Sequence, residues 1–283
     1  MANDFSMDAL LPSEMATKAE KIGVNKANAP AFQLFNLAIL AGAFIAMGAI
    51  FATTVATGVS GVMPYGLAKL LIGLVFCLGL ILVVVGGAEL FTGNNLIVMA
   101  FASGKISINS LLRNWVIVYL GNFVGSVGVA GIMFFTRQYT FADGLLGKTA
   151  LAIANGKLGY GFFQAIALGI MCNILVCLAV WLTFSARTTF DKIAAIIFPI
   201  TAFVAAGFEH SVANMYFVPM GLFIKAFDPS FTANIASVFS LDFNNLTWGT
   251  FLLNNLLPVT IGNIIGGAFF VGLIYWLIYL REN

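Results

Sequence analysis

From Ala27 to Ala68 the chain carries no charged residue. A helix needs about 20 mostly apolar residues to cross a bilayer, so this run is long enough to cross once and begin a return. Similar runs recur, and spans are expected at about 32–57, 67–102, 112–136, 160–185, 193–223 and 250–279. The segments 67–102 and 193–223 are too long for single straight helices and are expected to be interrupted. Composition agrees. Hydrophobic residues make up 61% of the 283 and charged residues 8%, against about 25% charged in a soluble domain. That is too little charge to cover a water-exposed globule, so most of the outer surface faces lipid.

The net charge of +2 gives no sign of a nucleic-acid partner. Cys77, Cys172 and Cys177 lie in apolar runs and read as packing residues, not a disulfide framework. Met1 to Pro30 is charged throughout and lacks the apolar core of a signal peptide. Within it, Pro12 to Gly23 reads as an amphipathic helix with Ser13 as N-cap and an apolar face of Met15, Ala19 and Ile22. Such a helix lies on the membrane surface or covers a pore mouth. With both termini cytoplasmic, eight Lys/Arg fall inside and five outside, which favours that orientation.

The two halves share a pattern. Gly87-Ala88-Glu89 is followed by Asn94, and Gly207-Phe208-Glu209 by Asn214. Gly121-Asn122-x-x-Gly125 matches Gly262-Asn263-x-x-Gly266. The first pattern falls in the second span of each half and the other in the third. Three spans per half place the halves in opposite directions, an inverted repeat over about 31–136 and 160–280. Paired interruptions at matching places point to a substrate path. Breaks free backbone groups that need partners inside the protein. Glu89 and Glu209 are expected to accept from the N-terminus of the following half-helix, with Asn94 and Asn214 bonding freed backbone further along. The Gly-Asn-x-x-Gly segments, with Gly128, and the series Gly161, Ala165, Gly169 read as close helix contacts.

Glu89, Glu209 and His210 are the ionisable groups expected deep in the membrane, where such residues are functional candidates. For the glutamates a structural role competes with proton coupling. His210, the single histidine, titrates near neutral pH when unperturbed, against the plainer reading of a satisfied buried imidazole. Thr92 lies in the corresponding zone of the other break. The two are expected to meet, with Thr92 holding one ring nitrogen and leaving the other for a substrate. Phe76, Leu80, Phe91, Val176 and Phe203 are candidates to narrow a pore or simply to pack. Lys157 is expected in the loop before 160–185, drawing anions to a mouth or merely solvated. No His/Cys spacing suits a metal, no cofactor is implied, and no nucleophile with an adjacent base suggests an enzyme.

Val85-Gly86-Gly87-Ala88-Glu89-Leu90-Phe91-Thr92-Gly93 resembles the first signature of the formate/nitrite transporter family. Residues 169–179, 207–215 and 258–267 resemble its other signatures, and the tail from Tyr275 to Asn283 is similar to its formate-channel branch. The resemblance implies an all-α integral membrane fold of six transmembrane helices in an aquaporin-like inverted repeat, with interrupted second and fifth helices. It implies a homopentamer in the bacterial inner membrane, in contact with lipid, passing formate and other small monovalent anions. By position it makes Thr92 and His210 a central pore pair. Phe76 and Phe203 match an outer constriction, Leu80 and Leu90 an inner one, Val176 and Asn173 the lining, and Lys157 a vestibule lysine. The N-terminal helix matches one that gates the cytoplasmic mouth at low pH. Some members carry histidines near the vestibule lysine; here the stretch is Gly156-Lys157-Leu158-Gly159-Tyr160.

An anion in an apolar constriction loses hydration worth up to tens of kcal/mol. The expected sequence is attraction by Lys157, then a proton or hydrogen bond from His210 oriented by Thr92, with Asn173 and Asn263 as polar contacts. Residues 1–30 are expected as a cytoplasmic segment, 31–280 as the channel and 281–283 as a cytoplasmic tail. The Asn-Pro-Ala pairs of water channels are absent from both breaks. A nitrite- or hydrosulfide-selective channel and a proton-coupled formate symporter share the same motifs and remain alternatives.

Overall fold

Within lipid, a backbone with no water to bond to must satisfy its own N–H and C=O groups, and a helix does so locally. The computed structural model describes residues 9–59 and 61–281; among them regular structure is helical, with no strand. Residues 1–8, Ser60, Glu282 and Asn283 lie outside the described set. Helix α1 is Pro12–Ala27, α2 Ala31–Ala56 and α3 Tyr65–Gly86. The short α4 is Gly93–Ala102, followed by α5 Ile108–Phe135 and α6 Leu145–Lys157. Then come α7 Phe162–Ser185, α8 Thr189–Ala205, α9 Ser211–Phe227 and α10 Pro229–Phe239. Last is α11 Trp248–Tyr279, π-wound over Phe251–Leu256 and Ile265–Leu273. Five of the described helices, α2, α3, α5, α7 and α11, are long and apolar enough to cross a membrane, and α4 and α9 are shorter apolar helices.

The long apolar segments at 67–102 and 193–223 each divide into two helices, α3 with α4 and α8 with α9. Both links begin with a left-handed glycine: Gly87 has φ 80° and Gly207 φ 76°. An L side chain there meets its own backbone at a cost of about 1–2 kcal/mol. Gly207→Ala is therefore expected to lower stability by about 1 kcal/mol, read as a reduced thermal midpoint in detergent. Gly66→Ala, in α3 with open space around the added methyl, should show no loss.

Small residues set the closest helix contacts. A Cβ on Gly121 or Gly125 would collide with α2 at Ala38 and Ile39, and one on Gly262 or Gly266 with α7 at Ile166 and Ile170. Gly169 is equally tight against Val259 and Gly262. Gly128 and Gly161, grouped with them by spacing, stand in open space, because Gly128 lies on the exposed face of α5 and Gly161 is exposed at the start of α7. Helix α3 packs on α2 and α8, and α8 on α3 and α7.

Helix α1 begins at Pro12, not after Ser13. Glu14 reaches back to accept from Leu11 N–H at 2.7 Å, and Pro suits the first helical position, so Ser13 lies inside the helix. The apolar face does not lie free on a membrane surface. Met15, Ala16 and Ala19 pack with Met99 and Trp181. Glu20 pairs with Lys105, and Lys18 Nζ donates to the Phe184 carbonyl at 2.8 Å. Helices α6 and α10 occupy connections expected as loops. Burial of Leu146, Ala150, Leu151 and Ala154 at helical spacing explains α6, which makes Lys157 a helix C-terminal residue.

Candidate pore

A chain that leaves the helix at residue 87 exposes several backbone groups, and the structure supplies partners for them from other helices. Glu89 N–H donates to Leu37 O at 3.2 Å and Glu209 N–H to Leu168 O at 3.3 Å. Two asparagines on neighbouring helices do the rest. Asn122 Oδ1 accepts from Phe91 N–H at 2.9 Å, while its Nδ2 donates to Glu89 O at 2.9 Å and Ala38 O at 2.8 Å. Asn263 Oδ1 accepts from Ser211 N–H at 2.9 Å, while its Nδ2 donates to Glu209 O at 3.0 Å and Gly169 O at 2.9 Å. One amide carries an acceptor and two donors in a fixed plane, which matches the C=O of one residue and the N–H two further on.

This corrects the expected role of the glutamates, whose carboxylates do not cap the half-helices. Glu89 Oε2 accepts from Lys26 Nζ at 3.0 Å and Asn94 Nδ2 at 2.7 Å. Asn94 Nδ2 also reaches Asn114 Oδ1 at 3.0 Å. Glu209 Oε1 accepts from Lys157 Nζ at 2.9 Å and its Oε2 from Asn214 Nδ2 at 2.7 Å. Asn214 Nδ2 also reaches Asn255 Oδ1 at 2.8 Å. Asn94 and Asn214 thus fix the carboxylates through their side chains instead of bonding freed backbone. The two lysines come from unrelated elements, α1 and the end of α6.

The N-cap of α9 is His210, whose Nδ1 accepts from Ala213 N–H at 3.0 Å. That bond places the ring proton on Nε2, which faces Thr92 Oγ1 at 3.0 Å. The expected meeting of Thr92 and His210 is present, but neither ring nitrogen is left over. Both residues are buried.

A cavity of about 310 Å³ opens on the α1 side, lined by Lys18, Lys26, Leu80, Glu89, Leu90 and Lys192 among others. A second of about 310 Å³ opens on the opposite side, with Lys69, Phe76, Lys157, Phe203, Glu209 and His210 in its wall. The Phe76 and Phe203 rings meet edge to face at 5.8 Å, and Phe203 stacks on His210 at 6.0 Å. Phe76 and Leu80, about 6 Å apart along α3, line the two cavities from opposite sides. Phe91 points elsewhere: its ring packs on Tyr119 at 4.9 Å and on Trp115, beside a lateral apolar cleft between α5 and α11. Val176 is buried in α7 and lines neither cavity. Asn173 Nδ2 donates to Asn263 O at 2.7 Å, Asn95 Oδ1 at 3.0 Å and Thr92 O at 3.3 Å. Asn173 and Asn263 are therefore fully engaged in the frame.

The sequence pattern of the formate/nitrite transporter family matches residues 13–277. The chain belongs to that family. Like this chain, two formate/nitrite transporters of known sequence extend over its whole length. Formate channel FocA of Escherichia coli (strain K12) is 48% identical over 100% of this chain and 99% of its own. Formate channel FocB of the same organism is 38% identical over 100% of both chains. A solved structure titled "Pentameric formate channel with formate bound" superposes with a TM-score of 0.82 and 52% identity, covering 89% of this chain and 98% of that one.

Of the residues framing the breaks, Lys26, Asn95, Asn114 and Asn255 have no site role in the sequence reading, and Asn122 enters it only as a member of the Gly-Asn-x-x-Gly repeat. A signal for three of them exists. Asn114 precedes Asn122 by the spacing at which Asn255 precedes Asn263, which lengthens the Gly-Asn-x-x-Gly repeat. No repeat marks Lys26, since its counterpart Lys157 belongs to a different kind of element.

Proposed function

We propose that the chain is a channel for formate and related small monovalent anions in a bacterial cytoplasmic membrane. In this reading six crossings form an inverted repeat with the second and fifth interrupted, and both termini are cytoplasmic. Residues 1–30 form the N-terminal segment, 31–280 the channel and 281–283 the tail. Five copies assemble, each with its own pore. The names of the similar proteins support formate and the pentamer. The observation that carries the reading is the buried Thr92–His210 hydrogen bond between an apolar pair on each side, Leu80 with Leu90 and Phe76 with Phe203.

Lys157, as the vestibule lysine, and Lys26 stand at the two mouths, each sharing its charge with a glutamate. In the constriction an anion loses water, and the Nε2–H of His210 and the hydroxyl of Thr92 replace it. Donating the Nε2–H exchanges its bond to Thr92 Oγ1 for one to the anion and leaves the Ala213 bond in place. Donating a proton needs the ring first to take a second one on Nδ1, displacing the Ala213 N–H. The geometry therefore favours hydrogen-bond stabilisation of the passing anion, with proton exchange as a slower event. Asn173 and Asn263 hold the frame, as do Glu89, Glu209, Asn94 and Asn214.

His210→Phe is expected to slow formate flux into proteoliposomes by about 10- to 100-fold, the worth of one hydrogen bond to a charged group. His210→Asn keeps a favourable N-cap and should retain more flux and more stability. Wild-type flux with unchanged pH dependence in His210→Phe would remove the central pair from the mechanism. Accumulation of formate only under an inward proton gradient would make the protein a symporter, and preference for nitrite or hydrosulfide would move it to that branch.

A further inference from the structure

Lys18 and Lys192 line the α1-side cavity together with Lys26, and among the described lining residues Glu89 is the sole carboxylate. Glu89 is already bonded to Lys26 and Asn94. Among the described residues, the other carboxylates near this side each have their own partners. Glu20 pairs with Lys105, Glu14 takes Leu11 N–H, and Asp191 accepts from the N–H groups of Arg187 and Thr188 at 3.1 and 2.9 Å. Lys18 spends one N–H on Phe184 O, leaving two of its three donors. Burial, then the charges of Lys192 and Arg187, hold the Lys18 ammonium below the ordinary lysine range, so these cations feel one another across the cavity. The opposite mouth differs: Lys157 is paired with Glu209, and Lys69 sits over the Tyr65 ring at 5.5 Å.

We propose that the α1-side cavity binds a small divalent oxyanion of the size of inorganic phosphate between Lys18 and Lys192, and that its occupancy blocks the pore from that side. The inference rests on the channel reading above. Two ammoniums on one cavity wall attract a dianion more strongly than a monoanion. The cost of stripping water from an ion rises with the square of its charge, so the same dianion is stopped at Leu80 and Leu90. It fills the entrance that a monovalent anion must use.

The test measures formate flux in inside-out and right-side-out membrane vesicles, with inorganic phosphate added outside and chloride at matched ionic strength as control. Phosphate is expected to inhibit from the α1 side and not from the other. Lys18→Gln and Lys192→Gln should each raise the half-inhibitory concentration about fivefold, and Lys192→Arg should restore it. Equal inhibition by chloride, equal inhibition from both sides, or unchanged inhibition in both glutamine variants would each overturn the site. A second readout needs no flux: purified protein should broaden the phosphorus-31 resonance of inorganic phosphate, and the Lys18→Gln/Lys192→Gln double variant should not. Broadening without any formate flux would sink the channel reading and keep the phosphate site. Normal flux with neither inhibition nor broadening would sink the site and keep the reading.

Discussion

Lys157→Met is expected to destabilise the protein by about 3–5 kcal/mol, because it leaves the Glu209 carboxylate buried without its counter-charge. Glu209 is 3% exposed on its side chain and Lys157 15%, so water reaches little of the carboxylate. Asn214 and Asn255 still donate to Oε2, which holds the carboxylate in place without neutralising it. The double variant Lys157→Met/Glu209→Gln removes the charge and keeps an acceptor for both asparagines, so it should recover most of the loss. Lys26→Met should cost less than Lys157→Met, since the Lys26–Glu89 side chains are 29% and 13% exposed. Thermal unfolding in detergent with intact secondary structure as the signal checks all three. A double variant no more stable than Lys157→Met alone would show that charge burial is not what the pair resolves.

Asn122→Leu should be comparably severe. The apolar side chain fills a similar volume and abandons Phe91 N–H and Glu89 C=O, at about 1–3 kcal/mol for each orphaned group. Asn263→Leu does the same to Ser211 N–H and Glu209 C=O. The expected result is about 2–6 kcal/mol lost in either case, seen as poor recovery after extraction and a thermal midpoint many degrees lower. A wild-type midpoint in both variants would mean that these breaks do not depend on the asparagine clamps.

Helix limits follow the sequence where the signal is local. The charge-free run before Lys69 became α2 at Ala31–Ala56, and the run around 160–185 became α7 at Phe162–Ser185. Each depends on apolar length, a property of consecutive residues. The amphipathic α6 is legible at helical spacing, but its apolar face is narrow and Gly147 and Gly156 within it weaken the helical signal. Roles decided by distant partners were the ones misjudged. A glutamate at a helix break was expected to cap backbone, and instead each carboxylate meets a lysine from another part of the chain.

Apolar run length alone determined that this chain belongs in a membrane. The repeated Gly-x-Glu-x-x-x-x-Asn spacing determined where its long segments break, because a glycine free to take a left-handed turn ends a helix wherever it stands. Tertiary structure alone decided what fills those breaks. Phe91 and Ser211 find asparagine oxygens 31 and 52 residues away, and Lys26 finds Glu89 63 residues away. The same folding fixed the tautomer of His210, for a ring nitrogen takes its role from the partners around it and not from its place in the sequence.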